Sequence, residues 1–571
     1  MILLSIDEFS NFLSYTKFCS PTNSGNMLLP ASIPTGKEED DEWSNNLKKK
    51  PKVPKYDEVY KSLDANKLLN EFGTYGRYQM ISYVLCQFTN FFYATSIFIM
   101  VFVNRKPPDF ACKIDDPTRT EIINSMEPCM IKDLNTGNEL RCASHNSGTS
   151  IISNSTDRSH SILIEYQLLC VSPFIQEAGF SIFSAGALFV VPIASHLSDR
   201  YGRRRILLIS MYLSVIFNFV VAFSPNYVIF VLLRFLVGAA ADTYLTIGSI
   251  LCCETVAGSF REWTSLFGVT SWLLGYLYVG VLELYIKDWR KLYFASAIPG
   301  LLTVVLLPES PHWMILHKQT CGIQHYIKIS SWFNNVEIDL KKCQSENINK
   351  RLTDRFKETT MCDLFQYKRI IYFLFVNGYI TMTMNFYYFA VSFDSINLTE
   401  HALTGYILSG ISEIPGGIIV IPLLHFFGRR SITCVSFFLQ ANVTLIIPFV
   451  RRIQWARISC SIFGRMINEI VFASHPLLAN EMMPTTIRTI SYSIINIPQS
   501  IGIIFSPLLK YTDLDDGKIP QFILAVLSFA AAVLTITLPE TKDKPMPEDL
   551  NQLDPGPFLG YFITRRSLTK T

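Results

Sequence analysis

Charge is scarce in this chain. Asp, Glu, Lys and Arg supply 17% of its 571 residues and sum to a net +3. So small an imbalance over that length provides no basic face, and no nucleic-acid partner is expected. Also missing are a glycine-rich nucleotide loop, a paired C-x-x-C spacing for zinc and a Ser/His/Asp constellation. Their absence argues against ATP-driven work, a resident metal or cofactor, and enzyme chemistry. The first residues, MILLSIDEFSNFLSYTK, carry acids at Asp7 and Glu8 and neither a basic start nor a long apolar core, so they are not read as a cleaved signal peptide. What the chain has in abundance is apolar surface, 49% hydrophobic and 13% aromatic residues. That is too much for an ordinary soluble protein, and membrane lipid is the expected solvent.

A helix needs about 20 mostly apolar residues to cross the hydrocarbon core. Twelve windows qualify: 79–103, 174–196, 205–223, 227–251, 264–285, 290–308, 370–391, 403–426, 431–449, 458–479, 490–509 and 519–538. The fold class expected is therefore an all-α membrane protein of twelve transmembrane helices. Lys and Arg near the span ends set orientation. The basic stretch KKKPKVPK, the segment DRYGRRR, residues 309–369, the GRR at 428–430 and Arg488 all fall on one side of a twelve-span count, which is read as the cytoplasm. RRIQWAR at 451–457 is a local exception.

The organisation that follows has a cytoplasmic tail at 1–76, disordered to about residue 55, and a first six-helix half at 77–308 that includes an extracellular loop at 104–173. A cytoplasmic linker at 309–369, a second half at 370–538 and a cytoplasmic tail at 539–571 complete it. Two independent signals agree with this orientation. The sequons at Asn154 and Asn397 land outside and are expected to be glycosylated, whereas Asn442 lies inside a span. Cys112, Cys129, Cys142 and Cys170 sit in the extracellular loop, where an even count permits two disulfides in any of three pairings. The remaining cysteines are expected to be reduced packing thiols.

The chain also contains itself twice. YGRR with Gly202 matches FGRR with Gly428, ETVAGSFR from Glu254 matches EMMPTTIR from Glu481, and LPES with Glu309 matches LPET with Glu540, at offsets of 226, 227 and 231 residues. Three motifs recurring in order at nearly one spacing indicate two related six-helix halves. This architecture resembles that of the major facilitator superfamily. EYQLLC, LSDRYGRRR, KDWRKL, LPESPHW, NEMMPTTIR and LPETKDKPMPEDL resemble the signatures of its organic cation/anion/carnitine solute carriers, over about residues 56 to 550. The resemblance implies a multi-pass protein, in the plasma membrane, that transports small organic ions by alternating access, with organic cations or carnitine-like zwitterions favoured. An organic anion or sugar carrier, or a receptor-like protein without transport, is the alternative.

Charges at the motif-bearing rim are read as a conformational latch between halves. Asp199, Arg200, Arg203, Arg204, Glu254, Arg261 and Glu309 would serve the first half, and Arg429, Glu481, Arg488 and Glu540 the second. One departure stands in the motif, where Ser195 occupies a position the superfamily usually gives to glycine. Ionisable groups within spans cost about 2.5 to 3.5 kcal/mol at mid-membrane and face a cavity or a partner. Arg234, Asp242, Glu413, Arg465 and Glu469 are such groups, and the i,i+4 spacing of Arg465 and Glu469 suggests that these two pair. The cation and carnitine branches place an acid-x-proline element in the eighth span, which Glu413 and Pro415 resemble, so Glu413 is a candidate for substrate contact, with Asp242 in support. The same resemblance favours Tyr387 and Tyr388, whose rings would hold a cation for roughly 0.5 to 2 kcal/mol each. In the eleventh span related cation carriers commonly place an aspartate, and anion and carnitine carriers an arginine, where this chain has Ser500. The usual charge selector is therefore missing.

Overall fold

The computed structural model describes residues 60, 63–73, 76–106, 110–114, 123–124, 129–132, 139–141, 149–153, 161–256, 264–301, 307–340, 342–344, 367–450, 452–483, 488–512, 518–542, 544, 547 and 554–558. Helix occupies every one of the twelve windows. In chain order the bundle helices are α1 Arg77–Val103, α2 Ala178–Tyr201, α3 Arg203–Val221, α4 Tyr227–Thr255, α5 Thr264–Tyr285 and α6 Trp289–Ala297, then α7 Lys368–Asp394, α8 Ala402–Phe426, α9 Arg429–Val450, α10 Gln454–Met482, α11 Arg488–Phe505 and α12 Ile519–Ile536. Among the described residues nine are long and apolar enough to cross a membrane. Of the other three, α7 and α10 have the length but carry buried polar groups, Asn377 and Asn385 on one and Arg465 and Glu469 on the other. The third, α6, continues into a 3-10 turn at Ile298–Leu301.

Local chemistry sets where these helices begin. Asn226 accepts from the Ile229 amide at 2.9 Å, and Asp288 accepts from the Arg290 amide at 3.0 Å, each satisfying a donor that the first turn leaves open. Gly202 separates α2 from α3 with φ +107°, a conformation that side-chain-bearing residues avoid. In α8, Pro415 cannot donate back to residue 411, and the helix breaks at Ser412.

The first half packs α2 on α4 and α1 on α5; the second packs α9 on α10 and α12, and α7 on α11. The core of the first half gathers Tyr83, Phe98, Phe183 and Tyr293, and reaches across to Tyr388, Phe389 and Tyr406 of the second. The outward faces are apolar too, with Phe223 70% and Phe449 77% exposed. Large hydrophobic side chains displayed all round a helical bundle fit a hydrocarbon solvent.

Between α1 and α2 the described residues form five short strands. Phe110–Ile114 pairs antiparallel with Thr149–Ser153, and Ile123–Asn124, Met130–Lys132 and Glu139–Arg141 form a second antiparallel sheet. Of the four cysteines expected to pair here, Cys129 is bonded to Cys170; the side chain of Cys112, and all of Cys142 and Asn154, lie outside the described residues. The segment EYQLLC is fixed to the bundle by KDWRKL: the Glu165 carboxylate accepts from Trp289 Nε1 at 2.6 Å and from Arg290 Nη2 at 2.5 Å. Cys321 departs from the expectation of reduced thiols and is disulfide-bonded, whereas Cys86, Cys252, Cys343, Cys434 and Cys460 are in the reduced form expected.

The end of the tail and the start of the linker, read from sequence as separate segments, fold together. The short helix Ala65–Glu71 packs with Pro311–Leu316 and Thr320–Asn334 around Leu68, Phe72, Trp313, Ile323 and Tyr326. The ring of Tyr78, at the start of α1, lies 5.7 Å from that of Tyr326. Helices this short show little periodicity, and their stability comes from the contact itself.

Candidate functional site

At the end of the bundle carrying the repeated motifs, the two halves build the same cluster twice. In the first, Glu309 Oε1 accepts from the amides of Arg203 and Arg204, both at 3.0 Å, and of Ser310 at 3.1 Å. Arg203 pairs with Asp199 at 3.1 Å and with Glu254, and Ser310 Oγ donates to Glu254 at 2.6 Å. In the second, Glu540 accepts from the amides of Arg430 at 3.3 Å and Ser431 at 3.4 Å, Arg429 pairs with Glu481 at 3.4 Å, and Thr541 Oγ1 donates to Glu481 at 2.6 Å. In each cluster an acid sits on the amino terminus of the third helix of its half, where open amides and the helix dipole favour negative charge. Burial pushes the Glu309 carboxyl up, and the backbone amides pull against it.

These bonds differ from the expected latch in one respect: each stays within its own half. Arginines at the start of α3 and α9 reach the ends of α4 and α10 on their own side before anything across the interface. Arg200 lies exposed over the Tyr201 ring. Arg261 and the side chain of Arg488 lie outside the described residues.

Among the described residues, contact between halves concentrates toward the opposite end. Lys510 Nζ lies 2.5 Å from Glu177 Oε1, and Tyr511 donates to Gln176 and Glu177 at 3.0 Å each. Ser181 Oγ donates to the Ile504 carbonyl at 2.8 Å. Deeper in, the Tyr276 and Tyr406 rings stack at 3.9 Å, and Phe180 meets Phe393 edge-on at 4.4 Å.

Midway along the bundle lies a buried polar cluster that joins the halves. The break at Ser412 puts Glu413 at the start of a helical segment, where Oε1 takes Arg465 Nη2 at 2.6 Å, Arg465 Nε at 3.1 Å and the Tyr388 hydroxyl at 2.9 Å. Both members of this ion pair are 1% exposed. Arg465 Nη1 donates to Ser392 at 2.8 Å, and its guanidinium lies 4.8 Å from the centre of the Tyr388 ring and 5.3 Å from that of Tyr276. From the first half, Trp272 Nε1 donates to the Tyr388 hydroxyl at 2.6 Å. Trp272 in turn lies 5.6 Å from the ring of Tyr93, which stands beside Asp242.

The structure thus brings Glu413, Tyr388 and, through two aromatic rings, Asp242 into one assembly. Tyr387 points elsewhere: it is buried within the second half, and its hydroxyl accepts from Thr444 at 3.1 Å. Ser500 is half-buried on α11, and its hydroxyl turns back to the Asn496 carbonyl at 3.4 Å. The expected Arg465–Glu469 pair does not form, because Glu413 on the neighbouring helix outcompetes the i+4 acid for the guanidinium. Arg234, also flagged from sequence, is buried within the first half on the carbonyls of Ser96 and Gly179. Sequence reasoning missed Trp272; an indole donor in mid-span was the available signal.

Comparison with known proteins follows from this geometry. The family profile described as Major Facilitator Superfamily matches residues 120–507. A Caenorhabditis elegans protein, B0361.11, whose name points to transport without a substrate, is 34% identical, covering 89% of this chain and 87% of its own. The Drosophila melanogaster organic cation transporter-like protein is 27% identical over 84% of this chain and 90% of its own. The human organic cation/carnitine transporter 2 is 26% identical over 69% and 71%. Among solved structures, the proton:xylose symporter XylE superposes with a TM-score of 0.57 at 16% identity, over 84% of this chain and 99% of that one, a likeness of fold alone.

Proposed function

The chain belongs to the major facilitator superfamily, in its organic cation/anion/carnitine family of solute carriers, and is a multi-pass membrane transporter rather than an enzyme; from that premise we propose that it carries small organic cations or carnitine-like zwitterions across the plasma membrane by alternating access. The observation that carries the reading is the buried Trp272–Tyr388–Glu413–Arg465 cluster, which places charge and aromatic surface midway along the bundle and on both sides of the interface between halves. Arg465 is already neutralised by Glu413, so the cluster offers no free cation to an anion; this favours cations over the anion alternative.

In this reading twelve spans cross the membrane, the motif end is cytoplasmic, and the loop at 104–173 is extracellular. With contact concentrated toward the loop end, the structure then stands in an inward-facing state, and the rim clusters would exchange partners across the halves when the carrier turns outward. Glycosidase should shift the intact protein through Asn154 and through Asn397, which is exposed.

The decisive experiment is tracer uptake in sealed cells with a panel of small cations, anions and carnitine. Saturable uptake with trans-stimulation supports a carrier, and binding without flux supports the receptor-like alternative. Ser500→Asp should then favour cations and Ser500→Arg suppress them; unchanged preference in both would remove Ser500 from the pathway.

A further inference from the structure

Glu469 is the acid the cluster leaves over. It lies one turn along α10 from Arg465 toward the motif end, is 7% exposed, and among the described residues has neither a hydrogen bond nor an ion pair. The charged groups acting on it are Glu413 from α8 and Arg465 from its own helix. Gly416, three residues after Glu413, packs against it so closely that a Cβ there would come 2.9 Å from Glu469 Cβ and 3.3 Å from Cγ. Both carboxylates therefore line the same α8–α10 seam. The second oxygen of Glu413, Oε2, is also buried without a partner. One arginine faces two carboxyl groups and is taken by Glu413 Oε1, so at least two oxygen acceptor positions stay open.

The aromatic faces are less available. Arg465 occupies one position over Tyr388 and another over Tyr276, and the Tyr276 ring is stacked on Tyr406. A cation entering here meets unfilled oxygen acceptors before it meets free ring faces. Such acceptors reward N–H donors, which a primary or secondary ammonium has and a quaternary ammonium lacks.

We propose that Glu469, with Oε2 of Glu413 as a second acceptor, is the residue that selects protonated primary and secondary amines as substrates over quaternary ammonium ions. The proposal rests on the organic-cation branch of the reading above, is opposed to its zwitterion branch because carnitine is itself a quaternary ammonium, and adds the donor requirement and the residue that imposes it. On the helix face one turn toward the motif end, Glu469 would be the first of the two carboxylates met from that side.

The test is uptake of radiolabelled phenethylammonium and tetraethylammonium by wild type, Glu469→Gln and Glu469→Asp, each normalised to surface protein. Wild type should prefer phenethylammonium. Glu469→Gln should raise its KM about tenfold or more while changing that of tetraethylammonium far less, and Glu469→Asp should fall between. If Glu469→Gln does not reach the surface, the aspartate variant must still show a raised KM for the amine alone. Saturable uptake with the same KM ratio for the two cations in all three proteins would overturn the role of Glu469 and leave the transporter reading standing. Absence of any cation uptake by surface-expressed wild type would overturn both.

Discussion

At the scale of single residues, the cluster at mid-bundle depends on paired charge. Removing one member leaves the other buried and uncompensated, which costs about 3 to 5 kcal/mol, whereas replacing both with apolar groups is often neutral. Arg465→Leu alone should therefore lower thermal stability in detergent sharply, and Arg465→Leu combined with Glu413→Leu should recover most of the loss while remaining inactive in uptake. Glu309 offers a pH test outside the spans. Burial raises its folded value, so it contributes stability that is present below the unfolded value and lost as pH rises through the folded one. Glu309→Gln, which cannot ionise, should be relatively more stable against wild type at about pH 7 than at about pH 4, as read by melting temperature. Glu413 is singled out in the sequence by its acid-x-proline resemblance, and Arg465 only as one of the costly mid-span charges. Their pairing was not legible, because a one-dimensional i,i+4 rule sees Glu469 and is blind to a neighbouring helix.

At the scale of elements, the repeated Gly-Arg-Arg motif turns one helix into the next and delivers backbone amides to an acid. Gly202 meets that demand with φ +107°, and a Cβ there would lie 2.8 Å from Glu309 Oε2. Gly202→Ala should cost about 1 to 3 kcal/mol through backbone strain and crowding. Its melting temperature should fall, and shortening Glu309 to alanine in the same chain, compared with Glu309→Ala alone, should restore only the crowding part. The matched bonds at Glu309 and Glu540 explain why three short motifs recur in order. Each half needs an acid, a hydroxyl beside it and an arginine to close the same joint.

At the scale of the whole molecule, the described residues of the two halves meet mainly toward the loop end, through Glu177, Lys510 and Tyr511. Weakening that closure with Glu177→Gln and Lys510→Met should shift the equilibrium toward opening there. A cysteine placed at Ser181, shielded beside Ile504, should then react with an impermeant maleimide roughly fivefold faster or more. Unchanged labelling would mean that these bonds do not hold the state.

Length of apolar runs and the internal repeat determined the helical bundle and its two halves, because a bilayer leaves so few ways to satisfy a backbone, while the family was legible only through the resemblance of short motifs at the span ends. The tail helix Ala65–Glu71 escaped that logic, since it is stable only against the linker helices that follow the first half. Which acid takes Arg465, which of Tyr387 and Tyr388 reaches the interface, and whether the rim arginines bond within or across halves were decided by the tertiary structure. The first of these depends on how α8 breaks at Ser412 and lies against α10, and the others likewise on packing between segments far apart in the chain, which no local pattern encodes.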